Sequence, residues 1–137
     1  MRMKAISIKN PYAQLIAHGI KTLEIRTRKT AYRGDILICA CGGKALWHNV
    51  SPRPMAFNAE EQAELYVGCG NALAVVTITD CRPMTPEDAA LAWCEYEPGL
   101  YAYVLSDPRP VAKQFTVLGQ LGIYNVEVRE DKLCSTK

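Results

Sequence analysis

A short charged segment, residues 21–26, has the residue types and spacing that a ligand-binding site needs. Lys21 follows Gly19, where a short helix is expected to end, so its ammonium group is expected at the mouth of the space that this helix and the next strand enclose. Glu24 and Arg26 alternate along that strand and therefore share one face. A carboxylate between two cations stays ionised. Such a carboxylate accepts a hydrogen bond from the amino group of a base, while Lys21 and Arg26 contact phosphate.

Aromatic and basic side chains near this segment extend the same interpretation. Tyr12 and Tyr32 offer flat rings for stacking on an unpaired base, and Arg33 offers another phosphate contact. Structural alternatives exist for several of these residues. Glu24 and Arg26 are also explained by an ion pair within the sheet, and Tyr12 lies at helical spacing from two aliphatic residues, as a core residue would. The sequence leaves these alternatives open.

The charged residues are distributed unevenly, although the net charge is only +2. Residues 1–33 contain eight Lys or Arg and one acidic residue, whereas residues 58–98 contain eight Asp or Glu and one Arg. A local concentration of basic residues is compatible with docking of a polyanion, because phosphate binding depends on counterion release rather than on net charge. Mutual neutralisation of the two regions across the fold explains the same pattern.

Six cysteines, with Cys39 and Cys41 as the closest pair, raise the question of disulfides or metal. The aliphatic content suffices for a core without covalent links, so we expect reduced thiols. A zinc site can be drawn from Cys39, Cys41 and His48, but zinc signatures come with C-x-x-C spacing or a second ligand pair, which the sequence lacks. We therefore expect no metal and no other cofactor.

Length and composition favour one globular domain over residues 1–137. The chain is 49% apolar and 22% charged, which excludes a disordered, collagen-like or coiled-coil protein. No apolar stretch approaches the roughly 20 residues of a membrane-spanning helix, and the amino terminus lacks the apolar segment of a secretory signal. We expect a cytoplasmic protein with no membrane partner.

Hydrophobic periodicity predicts the elements that position the charged segment. A strand is expected at 4–9, and Asn10 is expected to cap a short helix whose first residue is Pro11. The alternating run 23–28 predicts a strand that buries its aliphatic residues and turns its charged ones to the opposite face. The apolar run 35–41 predicts a central strand buried on both faces.

The second half of the chain predicts two further helices and more strands. Asn58 is expected to cap a helix that runs to about Val67, and Thr85 a second one that runs through Trp93. Strands are expected at 71–79, at 123–128 and on either side of a turn at 106–110, over 100–105 and 114–118. Because strands and helices do not alternate as regular βαβ units, we predict an α+β fold built on a small, mostly antiparallel β-barrel of five or six strands decorated by short helices.

Four segments together resemble the ASCH domain, a family of the PUA-like superfamily of RNA-associated β-barrels. They are residues 5–16 (AISIKNPYAQLI), 19–26 (GIKTLEIR), 32–38 (YRGDILI) and 119–124 (GQLGIY). The resemblance covers about residues 5–126. It implies a PUA-like β-barrel with a cleft lined by the 19–26 segment, by the turn around Asn10 and by loops of the second half.

Two activities of the family are alternatives to simple binding. Some small bacterial ASCH proteins are amidohydrolases that remove an acetyl group from cytidine, using a lysine and a threonine three residues later. Here Lys21 matches the lysine, but Glu24 stands in place of the threonine, and a carboxylate replaces a hydroxyl nucleophile poorly because its acyl product is a mixed anhydride. Other ASCH proteins are associated with RNA cleavage, for which Lys21 and Glu24 are candidate base and acid and Arg26 stabilises the phosphorane.

We therefore expect a protein that binds RNA or a nucleoside or nucleotide ligand and holds a single-stranded or modified base in a basic cleft. The alternative is hydrolysis of RNA or of a modified nucleoside at the same cleft, and a protein partner is a third interpretation, suggested by the family's kinship with a transcriptional coactivator. Lys21 and Glu24 are the catalytic candidates if the protein is an enzyme. The candidate ligand-binding residues are Asn10, Tyr12, Lys21, Glu24, Arg26, Tyr32 and Arg33.

Overall fold

In the computed structural model, which describes residues 1–44 and 57–133, the chain forms one six-stranded sheet and three short α-helices. The strands are β1 (Arg2–Asn10), β2 (Leu23–Arg26), β3 (Gly34–Lys44), β4 (Asn71–Pro83), β5 (Tyr101–Thr116) and β6 (Ile123–Glu127). The helices are α1 (Tyr12–Ala17), α2 (Ala59–Glu64) and α3 (Ala89–Ala92). His48 and Cys134 lie outside the described residues.

The sheet is mostly antiparallel and strongly curled. Its strand order is β2-β5-β4-β3-β1-β6, and β1 and β3 form its parallel pair. Three strands separate β2 from β1 in this order, yet the guanidinium Nη2 of Arg26 in β2 donates a hydrogen bond to the backbone oxygen of Ser7 in β1 at 3.1 Å. The predicted α+β fold with six strands and short helices is confirmed, although the described strands do not close into a continuous barrel.

The gap in the curled sheet has a simple cause. On its outer side β1 pairs with β6, but only through residues 2–6, so residues 7–10 extend beyond that ladder. Strand β2 pairs with β5 along its other side. We call the gap between β2 and residues 7–10 of β1 the seam. Two strand edges therefore face each other across the seam without a backbone ladder between them among the described residues.

The central strand β3 is buried on both faces, as predicted. Ile36, Leu37 and Ile38 each have 0% exposure. The side chains of Ile36 and Ile38 pack in the main core, which also includes residues of α1, whereas Leu37 packs in a second cluster on the opposite face. Val111 of β5 and Tyr124 of β6 belong to that second cluster. The curl of the sheet thus covers both faces of β3 with parts of the same sheet.

Asn10 has a different role from the predicted helix cap. It is the last residue of β1, and α1 follows Pro11 without a side-chain hydrogen bond at its cap. The Asn10 amide nitrogen instead donates to the backbone oxygen of Val67 at 2.9 Å, and Gln14 Nε2 donates to the same oxygen at 2.7 Å. The predicted cap is wrong because this contact with the chain before β4 takes the Asn10 side chain. Gly19, with φ of +76°, follows the end of the helix as predicted.

The predicted break at 106–110 is also wrong. A single strand, β5, runs through it, because Arg109 and Pro110 still pair with Val75 and Ala74 of β4. The register shifts at this point, and Asp107 takes a positive φ of 53°. The turn-forming residues therefore produce a bulge inside one long strand rather than a loop between two.

The two predicted helix caps in the second half are confirmed. Asn58 and Glu61 form a capping box at the start of α2. Thr85 and Asp88 form another at a 3₁₀ turn, Pro86–Asp88, which leads into α3. The helix ends before Trp93, whose φ of 58° is left-handed.

Asp88 fixes this turn, and with it α3, to strand β4. Its carboxylate accepts two hydrogen bonds from Arg82, at 2.7 and 2.9 Å, and a third from the backbone nitrogen of Thr85 at 2.8 Å. The paired guanidinium, aided by the Thr85 donors, lowers the pKa of Asp88 to about 2. Because this pKa is lower in the folded than in the unfolded chain, the carboxylate stabilises the fold above pH 3.8, and the contribution is lost as the pH falls toward about 2.

The substitution Asp88→Asn tests this contribution, because asparagine keeps an acceptor for Thr85 and removes the charge. Near neutral pH we expect the free energy of unfolding to fall by about 2 kcal/mol. The difference from the wild type should shrink as the pH falls from about 4 to about 2. Urea unfolding over this pH range measures it.

Asp131→Asn is the matched control, because the pair of Asp131 and Arg129 is exposed. We expect it to change stability by no more than about 0.5 kcal/mol. A difference between Asp88→Asn and the wild type that stays the same from neutral to acidic pH would contradict the assignment.

Candidate functional site

A groove of about 510 Å³ runs along the seam between β1 and β2. We call it the seam groove; it is lined by Ser7, Ile8, Lys9, Tyr12, Lys21, Glu24, Ile25, Arg26, Thr27, Cys41, Ala92 and Cys94. A second groove of about 480 Å³ shares Ser7, Arg26 and Cys41 with it. Four of the predicted site residues, Tyr12, Lys21, Glu24 and Arg26, therefore lie together at the seam groove.

Lys21 lies at the base of the seam groove, with only 3% of its surface exposed. Its Nζ donates to the backbone oxygen of Leu23 at 2.6 Å and to that of Ala92 at 2.5 Å, and it lies 3.5 Å from Glu24 Oε1. The expectation that this ammonium projects at the mouth is wrong, because three acceptors hold it inside. Burial lowers the pKa of Lys21, although the nearby Glu24 carboxylate opposes that effect.

Glu24 connects the buried cation Lys21 to the partly exposed cation Arg26. Its Oε2 accepts a hydrogen bond from Arg26 Nε at 2.8 Å, and only 10% of the Glu24 side chain is exposed. Arg26, with 27% of its side chain exposed, also donates to Ser7 across the seam. The predicted common face of Glu24 and Arg26 is present, and so is the ion pair that was its structural alternative. The pair is both part of the scaffold and a wall of the groove.

Tyr12 also combines its two predicted roles. It is half-buried against the main core, and it lines the seam groove. The Nζ of Lys21 lies 5.4 Å from the centre of its ring, within the range of a cation–π contact. Burial raises the pKa of Tyr12, with smaller contributions from Cys94 and Glu24. The ring therefore presents one side to the buried cation and part of its surface to the groove.

The other three predicted residues lie outside the seam groove. Asn10 is 2% exposed, and its Oδ1 is the one buried side-chain oxygen or nitrogen of the described residues that lacks a hydrogen-bond partner. Tyr32 lines a separate cavity of about 1050 Å³. Arg33 donates to the backbone oxygens of Thr30 and Tyr32 and lies 3.7 Å from Asp80. The seven predicted site residues therefore do not form one site, although Tyr32 and Arg33 are close to the groove residues in sequence.

Several residues of the groove were not predicted. Lys9 and Ser7 belong to β1, and they meet β2 only because the sheet curls. Cys41 comes from the end of β3, and Ala92 and Cys94 come from the end of α3. Burial raises the pKa of the Cys94 thiol, although nearby Lys21 opposes the effect. Sequence spacing carries no signal for contacts that arise from the curl.

Within residues 1–44 and 57–133, no cluster of three or more His, Cys, Asp or Glu is arranged to hold a metal ion. None of the described helices has the length and apolar character that spanning a membrane requires.

Comparison with known proteins identifies the family. The ASCH domain model matches residues 6–130, and the chain therefore belongs to the ASCH domain family. The crystal structure of ASCH from Zymomonas mobilis is similar, with a TM-score of 0.56, 15% identity and coverage of 94% of this chain and 89% of that one. Two single-residue variants of the Zymomonas mobilis protein each give a TM-score of 0.54 and 13% identity, covering 94% of this chain and 89% or 91% of theirs. A comparison with curated proteins gives no match.

Replacement of Lys21 tests how much the fold depends on its buried ammonium. Methionine keeps the aliphatic stem but leaves the oxygens of Leu23 and Ala92 without their donor, so we expect Lys21→Met to lower the free energy of unfolding by at least about 2 kcal/mol. Urea unfolding at neutral pH measures the loss. Lys9→Met is the control, because Lys9 is exposed. Equal stability of the two variants would show that the contacts of Lys21 contribute nothing to the fold.

Proposed function

We propose that this ASCH domain binds single-stranded RNA or a nucleotide-like ligand, with one base in the seam groove. The observation that carries the proposal is the row of charges formed by Lys21, Glu24 and Arg26, which places an oriented carboxylate on the wall of a groove whose mouth is basic. The large cavity beside Tyr32 also has cations, Arg2, Lys4 and Arg109. We rank it lower because its carboxylate, Asp35, is exposed, whereas Glu24 is buried between two cations.

Glu24 is the group that recognises the base in this proposal. A carboxylate offers about four acceptor positions, and Lys21 and Arg26 occupy one on each oxygen. The remaining positions accept N–H groups from a base with an exocyclic amino group. Lys21 cannot turn to the ligand without giving up a bond to Leu23 or Ala92, so its role is to hold Glu24 in place.

In this proposal the cations nearer the solvent, Arg26 and Lys9, bind the phosphate. Arg26 uses Nε and Nη2 for Glu24 and Ser7, and among the described residues its Nη1 has no acceptor. Lys9 is exposed on the same rim. Tyr12 supplies an aromatic surface at the groove on which a base can stack. The three groups together match the parts of a nucleotide: base edge, base face and phosphate.

Hydrolysis of RNA or of a modified nucleoside is the second candidate, and one observation favours it. The lowered pKa of Lys21 and its 3.5 Å distance from Glu24 describe a pair of groups between which a proton can move. Against it, the three acceptors around Nζ favour the charged ammonium over the neutral amine that a general base requires. The RNA-binding experiment described next distinguishes binding from hydrolysis if the length of the RNA is also measured.

Binding of fluorescent single-stranded RNA, followed by anisotropy, tests the proposal. We expect the wild type to bind, with an affinity that falls as salt rises, and to prefer bases that carry an amino group over uracil. Arg26→Ala should weaken binding by at least about tenfold. Glu24→Gln should reduce the preference for amino-bearing bases.

Arg33→Ala is the matched control, because it removes the same charge outside the groove, and we expect less than about a threefold loss. Equal losses for the two arginine variants would overturn the assignment of the groove. RNA that is shortened by the wild type, seen on a denaturing gel, would favour the hydrolase.

A further inference from the structure

Two cysteines, Cys41 in the wall of the seam groove and Cys69 beside it, are in contact. Cys69 lies just before β4, and its Sγ donates a hydrogen bond to the backbone oxygen of Cys41 at 3.2 Å. The Gly70 nitrogen also donates to the Ala40 oxygen at 2.7 Å, so two hydrogen bonds hold the turn at Cys69 and Gly70 against the end of β3.

The hydrogen bond brings the Cys69 sulfur within reach of the Cys41 side chain. The Cα atoms of disulfide-bonded cysteines are about 4.4–6.8 Å apart, and a sulfur that lies 3.2 Å from the backbone oxygen of Cys41 is beside the residue that carries the second thiol. The two thiols also act on each other electrostatically. Rotation of the two side chains then brings the sulfurs together. Both thiols are free in the structure.

Exposure and position together separate this pair from the other described cysteines. Cys69 is exposed and Cys41 is half-buried, so a small oxidant reaches Cys69 first and Cys41 lies behind it. Cys39 is 2% exposed, and burial raises the pKa of its thiol to about 11. Cys81 lies far along β4, where its sulfur accepts a hydrogen bond from the Thr30 nitrogen at 3.4 Å. Cys94 follows α3 at the opposite wall of the groove.

Two cations near Cys41 offset part of the effect of its burial. Burial raises the pKa of the Cys41 thiol, but Lys9 and Arg26 both act in the opposite direction. These cations stabilise the thiolate that attacks an oxidised partner.

We propose that Cys41 and Cys69 form a dithiol site that reacts with a two-electron oxidant, a peroxide or a low-molecular-weight disulfide, and stores the oxidation as a reversible disulfide in the groove wall. Cys41 lines both the seam groove and the second groove, so the bond forms at the wall these grooves share. The proposal does not depend on what the groove binds.

Hydrogen peroxide oxidises the pair in two steps. The Cys69 thiolate attacks one peroxide oxygen, the O–O bond breaks, and hydroxide leaves and takes up a proton as water, which gives a sulfenic acid. The Cys41 thiolate then attacks the Cys69 sulfur, the S–O bond breaks, and a second water leaves. Two thiols are oxidised and one peroxide is reduced to two waters. A thiol reductant reverses the bond.

The test uses the full chain, treated with a small molar excess of hydrogen peroxide and then alkylated without reduction. Before alkylation we expect the intact mass to fall by about 2 Da, as one disulfide requires. After alkylation the oxidised chain should carry two fewer alkyl groups than the untreated chain, and reductant should reverse both changes. Trypsin does not cleave the Arg–Pro bonds of this chain, so it releases Cys39 and Cys41 in one peptide, 34–44, and Cys69, Cys81 and Cys94 in another, 45–113. A cross-linked peptide pair alone therefore does not identify the bond, and serine variants are needed.

Cys41→Ser and Cys69→Ser should each abolish the cross-link, whereas Cys39→Ser, Cys81→Ser and Cys94→Ser should retain it. Circular dichroism checks that each variant folds, and Cys69→Ser, at an exposed position, is the least disturbing of them. Survival of the cross-link in Cys69→Ser would overturn the proposal. So would oxidation of the folded wild type to sulfinic acid without loss of about 2 Da.

Discussion

The structure depends on one buried cation. The Lys21 ammonium lies where β2, the end of α3 and the Glu24 carboxylate converge, and it donates to all three. A lysine with 3% exposure is tolerated only because every N–H has an acceptor. Its position fixes Glu24, Glu24 orients Arg26, and Arg26 reaches Ser7 on the far side of the seam. A single row of hydrogen bonds thus spans the gap that backbone pairing leaves open.

This arrangement explains why scaffold and site use the same residues. A closed barrel would leave no unpaired strand edges, whereas the curled sheet has two that face each other at the seam. Charged side chains bridge the seam in place of a backbone ladder, and the same charged groups therefore line the groove. The acidic residue is held between two cations, and its remaining acceptor positions face the groove. A ligand can therefore meet an oriented carboxylate without the cost of arranging it on binding.

The elements could be predicted from the sequence more completely than the site. The burial of residues 36–40 and the capping box at Asn58 are local patterns, and both are present in the structure. The strand at 23–26 is also present, but its burial does not alternate as predicted, because Glu24 is buried with Leu23 whereas Ile25 is half-buried. The role of Asn10 and the continuity of β5 could not be predicted, because a contact with Val67 and the pairing of Pro110 with Ala74 decide them. Long-range contacts also decide which of the predicted site residues lie together. Tyr32 and Arg33 are near Lys21 in sequence, but Cys41, Ala92 and Cys94 are its neighbours across the groove.

The central claim is that the seam groove is where a nucleotide-like ligand binds. A titration of the isotopically labelled protein with a short single-stranded RNA, followed by the chemical shifts of its backbone amides, tests it most directly. We expect the largest changes at Lys9, Ile25, Thr27 and Cys94, which line the groove, and none at Tyr32 or Arg33. Changes centred on the large cavity beside Tyr32, or no change at any amide, would contradict the claim.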